Sequence, residues 1–90
     1  MISFMTDKEI LQKAIAQALR KERKRQGLKF TIFSYENDIP TTTLYMLENG
    51  NSSTRAVNMF HVAEALGLSC KDFGELIDKE IAILKSERNL

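Results

Sequence analysis

The stretch FSYENDIPTTTLYMLENGN, Phe33 to Asn51, holds two short helical patterns separated by a polar break. Ser34 places a small residue where two crossing helices must approach closely. The break is Asn37-Asp38, the non-glycine residue types that best tolerate a left-handed backbone. Pro40 then starts the second helix, its missing N–H falling in a first turn that has no intrahelical partner. Leu44 and Leu47 lie three apart on one inward face, and Gly50 ends the helix. Small residue, polar break and amphipathic second helix, in that order, are what a DNA-reading helix-turn-helix requires.

Helical signals extend on both sides of this pair. Thr6 and Glu9 have the spacing of a capping box, and Ile10, Leu11, Ala14, Ile15, Ala18 and Leu19 follow with helical period, which predicts a long first helix over about 7–26. The second helix is expected over 28–37, although Lys29 and Phe30 stand where a capping Ser, Thr or Asp would serve. The third is expected over 40–49. Asn49-Gly50-Asn51-Ser52-Ser53 reads as a loop. A fourth helix over about 54–66 would bury Val57, Met59, Phe60, Ala63 and Leu66. Ser69 caps a fifth over about 70–85, whose stripe is Phe73, Leu76, Ile77, Ile81 and Leu84. No segment alternates like a strand, so the chain is expected to be one all-α bundle of about five helices spanning 1–90.

Ninety residues with 43% hydrophobic content suit one small core rather than a deep catalytic cleft, so an enzyme is not expected. The single cysteine, Cys70, cannot form an internal disulfide. Neither a secretory signal nor an apolar run of membrane length is seen, which points to the cytoplasm with no membrane partner. The net charge of +1 hides an uneven distribution: residues 1–55 hold 9 Lys/Arg against 6 Asp/Glu, and residues 56–90 hold 4 against 6. Arg20, Lys21, Arg23, Lys24, Arg25 and Lys29 fall within ten positions beside the helix pair. They form a candidate phosphate-facing patch, with a solvated helix face as the plainer alternative.

From Leu19 to Phe73 the chain resembles, without gaps, the lambda-repressor/Cro-like helix-turn-helix domains, also called the xenobiotic-response-element type. Three signatures carry the likeness: Arg23 four residues before Gly27-Leu28, the ending Glu48-Asn49-Gly50, and Ala63-Glu64-Ala65-Leu66-Gly67 followed by Leu68-Ser69. The resemblance implies a structural ion pair between Arg23 and Glu48. Partly buried, such a pair costs on the order of 3–5 kcal/mol when one partner is removed; as a surface pair it contributes under ~1 kcal/mol. Three positions depart from the family pattern. Phe30 replaces a phosphate-contacting glutamine, Asp38 replaces the turn glycine and brings a negative charge, and Asn37 replaces a buried leucine, so its amide needs a partner or exposure.

With Leu44 and Leu47 inward, Thr41, Thr42, Tyr45, Met46 and Asn49 turn outward and Thr43 lies at the margin. Thr41, Thr42, Tyr45 and Met46 are the candidates for base edges. None is Arg, Lys or Gln, so readout would rest on methyl, thioether and ring contacts to thymine methyls, favouring A·T-leaning sites. Phosphate contacts are expected from Lys29, Thr43, Asn49, Asn51, Ser53 and Arg55. One histidine, His61, and one cysteine are too few for the usual zinc sites, and no metal or cofactor is expected. A Cys70–His61 nucleophile pair would have to meet across the fourth and fifth helices and would lack an oxyanion site. Ile77, Ile81, Ile83 and Leu84 could join two subunits in a homodimer on palindromic DNA, or pack on the first helix. The leading expectation is a bacterial or phage transcriptional repressor; the alternative is a protein-interaction module, antitoxin-like or a regulatory partner, that binds another protein through Tyr45, Met46 and the C-terminal apolar residues.

Overall fold

The computed structural model describes residues 5–50 and 55–88. Among them are five α-helices: α1 Asp7–Arg25, α2 Phe30–Glu36, α3 Thr41–Glu48, α4 Ala56–Ala65 and α5 Cys70–Arg88. The bundle is all-α, and no described helix is long and apolar enough to cross a membrane.

Capping chemistry sets most helix ends. At the start of α1 the Thr6 hydroxyl accepts from the Glu9 N–H at 3.2 Å while the Glu9 carboxylate accepts from the Thr6 N–H, closing the expected capping box. Ser69 and Asp72 make the corresponding reciprocal pair before α5. The expected boundary of α2 moves from 28 to 30 because α1 has not finished: Gly27 takes φ 71°, its N–H donates to the Lys24 carbonyl, and Leu28 N–H donates to that of Arg23. This Schellman arrangement commits Leu28 to closing the first helix. Pro40 is likewise the residue before α3 rather than its first. Its ψ of 136° is extended, and its carbonyl accepts the first helical bond, from Leu44 N–H at 3.0 Å. The expected start of α4 at Thr54 falls outside the described residues; its first helical residue is Ala56.

The main core joins Ala18 and Leu19 of α1, Phe33 of α2, Ile39 of the turn, Leu44 and Leu47 of α3, Val62, Ala63 and Leu66 at α4, and Phe73 of α5. A second cluster seats Ile10 and Ala14, near the start of α1, on Leu84, with Ile77 and Ile81 against them. The apolar excess of α5 is therefore mostly absorbed inside one chain, and Ile83 remains 44% exposed.

The expected core face of α4 holds at Ala63 and Leu66, which are buried, and at Met59, which packs against the core, but not at Val57 and Phe60. Val57 is 69% and Phe60 46% exposed, whereas Val62, absent from the expected stripe, is 1% exposed. A 3.6-residue period accommodates either choice, and Val62, Ala63 and Leu66 form the side packed into the core, where α4 contacts α5 and α3. Phe60 lies at the rim, its ring edge-on to Phe73 with centroids 5.5 Å apart. Leu44→Ala is expected to lower the unfolding free energy by about 2–5 kcal/mol, and Val57→Ala to change it by no more than about 0.5 kcal/mol. Urea unfolding of both variants checks this assignment.

Candidate nucleic-acid interface

The turn between α2 and α3 repeats the geometry that ends α1. Asp38 takes φ 53°, the one positive-φ non-glycine residue among those described. Ile39 N–H donates to the Ser34 carbonyl at 2.9 Å and Asp38 N–H to that of Tyr35 at 3.4 Å. The buried Ser34 hydroxyl donates back to the Ile39 carbonyl, so the small residue both permits the close approach and fastens the turn. Asn37 satisfies its amide by donating from Nδ2 to the Phe33 carbonyl at 2.9 Å. Its own carbonyl lies 3.0 Å from His61 Nε2, which ties α4 to the turn.

Helix α3 buries Leu44, Leu47 and Glu48. Thr41, Thr42, Tyr45 and Met46 stand on the opposite, exposed side, Tyr45 at 62% and Met46 at 37%. Thr43 is half-buried, as its marginal position suggests. Asn49 is exposed, but its Nδ2 donates to the Tyr45 carbonyl at 2.8 Å, so part of its donor capacity is taken up at the helix end. Lys29 and Arg55 are exposed residues immediately before α2 and α4. Asn51 and Ser53, the other expected phosphate contacts, lie outside the described residues.

What holds α3 in place is the pair Arg23–Glu48. Arg23 Nε donates to Glu48 Oε2 at 2.7 Å and Nη2 to Oε1 at 2.9 Å, a bidentate contact with side chains 8% and 5% exposed. Nη1 donates to the Leu28 carbonyl at 2.7 Å. The Phe30 ring lies 5.6 Å from the guanidinium carbon, within reach of a cation–π interaction. Phe30 thus packs beside the guanidinium, a role the sequence did not reveal. The Glu48 hydrogen bonds raise the Arg23 pKa against the opposing effect of burial.

The basic run is divided by the fold. Arg23 is taken by Glu48, Lys21 Nζ contacts Glu80 Oε1 at 2.8 Å, and Arg25 pairs with Glu22. Arg20, Lys24 and Lys29 remain exposed, with no carboxylate partner among the described residues. Glu22 also accepts from Gln26, which in turn donates to the Leu66 carbonyl at 2.7 Å and joins the ends of α1 and α4. His61 and Cys70 border one hollow of about 390 Å³, but His61 Nε2 is engaged with the turn carbonyl. No group of three or more His, Cys, Asp or Glu among the described residues is arranged to hold a metal ion.

Comparison with protein-family models, with curated proteins and with solved structures finds no match to this chain. Sequence reasoning did not anticipate that Ile32 and Tyr35 would stand 53% and 79% exposed on α2. Their spacing of three residues is the available signal, since it puts both on one helix face, opposite the buried Phe33 and Ser34.

Two outcomes follow for stability. Arg23→Met is expected to cost about 3–5 kcal/mol, because it strands the Glu48 carboxylate, and Arg23→Met/Glu48→Leu together to cost less than the sum of the single changes; a denaturant double-mutant cycle measures both. Arg25 hydrogen bonds hold the Glu22 carboxyl down to about 2 from 4.5, against the raising effect of burial and with help from Gln26. A folded pKa below the unfolded one stabilises above the unfolded value, and this contribution is lost as the pH falls from about 4.5 to about 2. Glu22→Gln is expected to flatten that limb of the stability-versus-pH curve.

Proposed function

We propose that this chain is a sequence-specific double-stranded-DNA-binding protein of the lambda-repressor/Cro-like helix-turn-helix type, acting in the cytoplasm as a transcriptional repressor. The observation that carries the reading is the α3 face: Thr41, Thr42, Tyr45 and Met46 project from a helix whose opposite side is locked by a buried bidentate ion pair. A helix held in one orientation can enter a major groove without ordering itself first, so less binding energy is lost to conformational entropy. The ordered turn between α2 and α3 supports the same assignment, with Ser34 and Asp38 taking the parts that a small residue and a turn glycine would play.

Base readout is apolar and single-hydrogen-bonded. Methyl, thioether and ring surfaces suit the thymine methyl group, while the threonine hydroxyls accept or donate one bond each. Lys29, Asn49 and Arg55 contribute phosphate contacts at either side of the recognition helix. Binding as a two-fold dimer would double a sparse readout, but Ile77, Ile81 and Leu84 are occupied by α1. A subunit contact through α5 would therefore centre on Ile83.

A second reading has its own support. Ile32 and Tyr35 of α2 and Tyr45 of α3 are exposed apolar and aromatic side chains, as expected if a protein partner binds them. Salt distinguishes the two, because DNA binding weakens steeply as salt rises and an apolar protein contact does not.

The test is selection from random duplex DNA at about 100 mM salt, where phosphate-driven binding remains substantial, with Thr42→Ala/Met46→Ala alongside. The expected result is an enriched A·T-leaning site that the double variant fails to enrich. A wild type that enriches nothing and binds DNA no better than the variant overturns the DNA reading.

A further inference from the structure

We propose that α1 carries a second contact line of the DNA interface, in which Lys13, Arg20 and Lys24, with Gln17 among them, follow a phosphate strand of the duplex that α3 enters. This inference rests on the DNA reading above and adds a surface that the helix pair itself does not contain.

The spacing 13, 17, 20, 24 advances by four, three and four residues, which keeps the four side chains within a stripe about 60° wide at 100° per residue. Lys13, Arg20 and Lys24 are exposed and Gln17 is half-buried. None of the three cations has a carboxylate partner among the described residues, unlike Lys21 and Arg25 on the same helix. Off the stripe, Lys21, Arg23 and Arg25 are paired within the chain while Lys8, in the first turn, has no carboxylate partner among the described residues; the three cations on the stripe are left available. At 1.5 Å rise per residue, Lys13 and Arg20 stand roughly 10 Å apart along the axis, and Arg20 and Lys24 roughly 6 Å.

The stripe is also joined to the recognition helix. A groove of about 370 Å³ runs between α1 and the end of α3, and Lys13, Gln17, Arg20 and Asn49 all line it. The end of α3 rests directly on α1: a Cβ built on Gly50 would stand 3.8 Å from the Gln12 carbonyl oxygen. Two carboxylates share the groove. Glu48 is compensated by Arg23, and Glu9 is engaged in the capping box at the far end of α1. The net character is a row of unpaired donors continuing from Asn49. Charge complementarity and continuity with the α3 face select one occupant, the sugar-phosphate backbone flanking the bases that α3 reads.

The experiment compares wild type with Lys13→Gln/Arg20→Gln/Lys24→Gln on a labelled random-sequence duplex and on the duplex enriched by selection, from about 50 to 200 mM salt. Lys71→Gln/Lys79→Gln/Lys85→Gln on α5 removes the same charge elsewhere and serves as the control. The α1 variant is expected to reduce the slope of log affinity against log salt by about 2 to 3. It should weaken both duplexes alike, leave the preference between them intact and keep the wild-type thermal midpoint. The control should retain the wild-type slope. An unchanged slope in the α1 variant, or an equal reduction in the control, overturns the contact line while the α3 reading stands. If the wild type binds neither duplex, both proposals fall together.

Discussion

The bidentate contact between Arg23 and Glu48 is the constraint on which the arrangement of this bundle turns. It joins the last full turn of α1 to the last residue of α3, and a third guanidinium donor takes the Leu28 carbonyl on the way into α2. Three segments meet at one buried charge pair. Such a pair adds little net stability over a well-packed apolar cluster, because desolvation offsets much of the attraction. Its geometric demand is strict, however: the two parallel hydrogen bonds form only when the two helix ends take up one distance and one angle. Phe30 packs beside the guanidinium, its ring 5.6 Å from the guanidinium carbon.

The α2–α3 turn shows how a departure from a favoured residue type can be compensated nearby. Asp38 bears a strained left-handed backbone, which glycine would adopt without cost. Around it, Ser34 fastens the Ile39 carbonyl, Asn37 folds its amide back onto α2, and His61 reaches across from α4 to the Asn37 carbonyl. The Asn37 amide has a partner, and no buried side-chain nitrogen or oxygen among the described residues is left without one. The turn is consequently tied from three elements, and the angle between α2 and α3 is determined by these contacts together with the apolar seat of Leu44 and Leu47.

Local chemistry made much of this legible in the sequence. The Thr6–Glu9 and Ser69–Asp72 caps, the left-handed position at Asp38 and the inward face of α3 depend on residues within a few positions of one another, where spacing decides the outcome; the α1 stripe holds at Ile10, Ala14, Ala18 and Leu19, while Leu11 is exposed and Ala16 buried. Long-range pairing did not have that advantage. Lys21 meets Glu80 across 59 residues, and nothing in a run of lysines and arginines says which of them the folded chain will neutralise. The α4 stripe was half right for a related reason: Ala63 and Leu66 are buried as their spacing indicates, but Val57 and Phe60 or Val62 can equally extend a helical stripe from them, and only the neighbouring helices choose between them. The candidate α3 face was readable because Leu44 and Leu47 fix the phase of a short helix. The proposed α1 line was legible only in part: Arg20 and Lys24 belonged to the candidate basic patch, but only the fold separates them from the paired Lys21, Arg23 and Arg25.

The most direct test of the central claim, that the exposed face of α3 is what this chain presents to DNA, is a titration of ¹⁵N-labelled protein with its selected duplex followed residue by residue by NMR. The expected result is a contiguous set of shifted amides at Thr41, Thr42, Tyr45, Met46 and Asn49, extending along α1 to Lys13 and Arg20, while Val57, Phe60 and Ile83 stay in place. Shifts centred on Val57 and Phe60, or on the outer face of α5, with α3 unmoved, would contradict it.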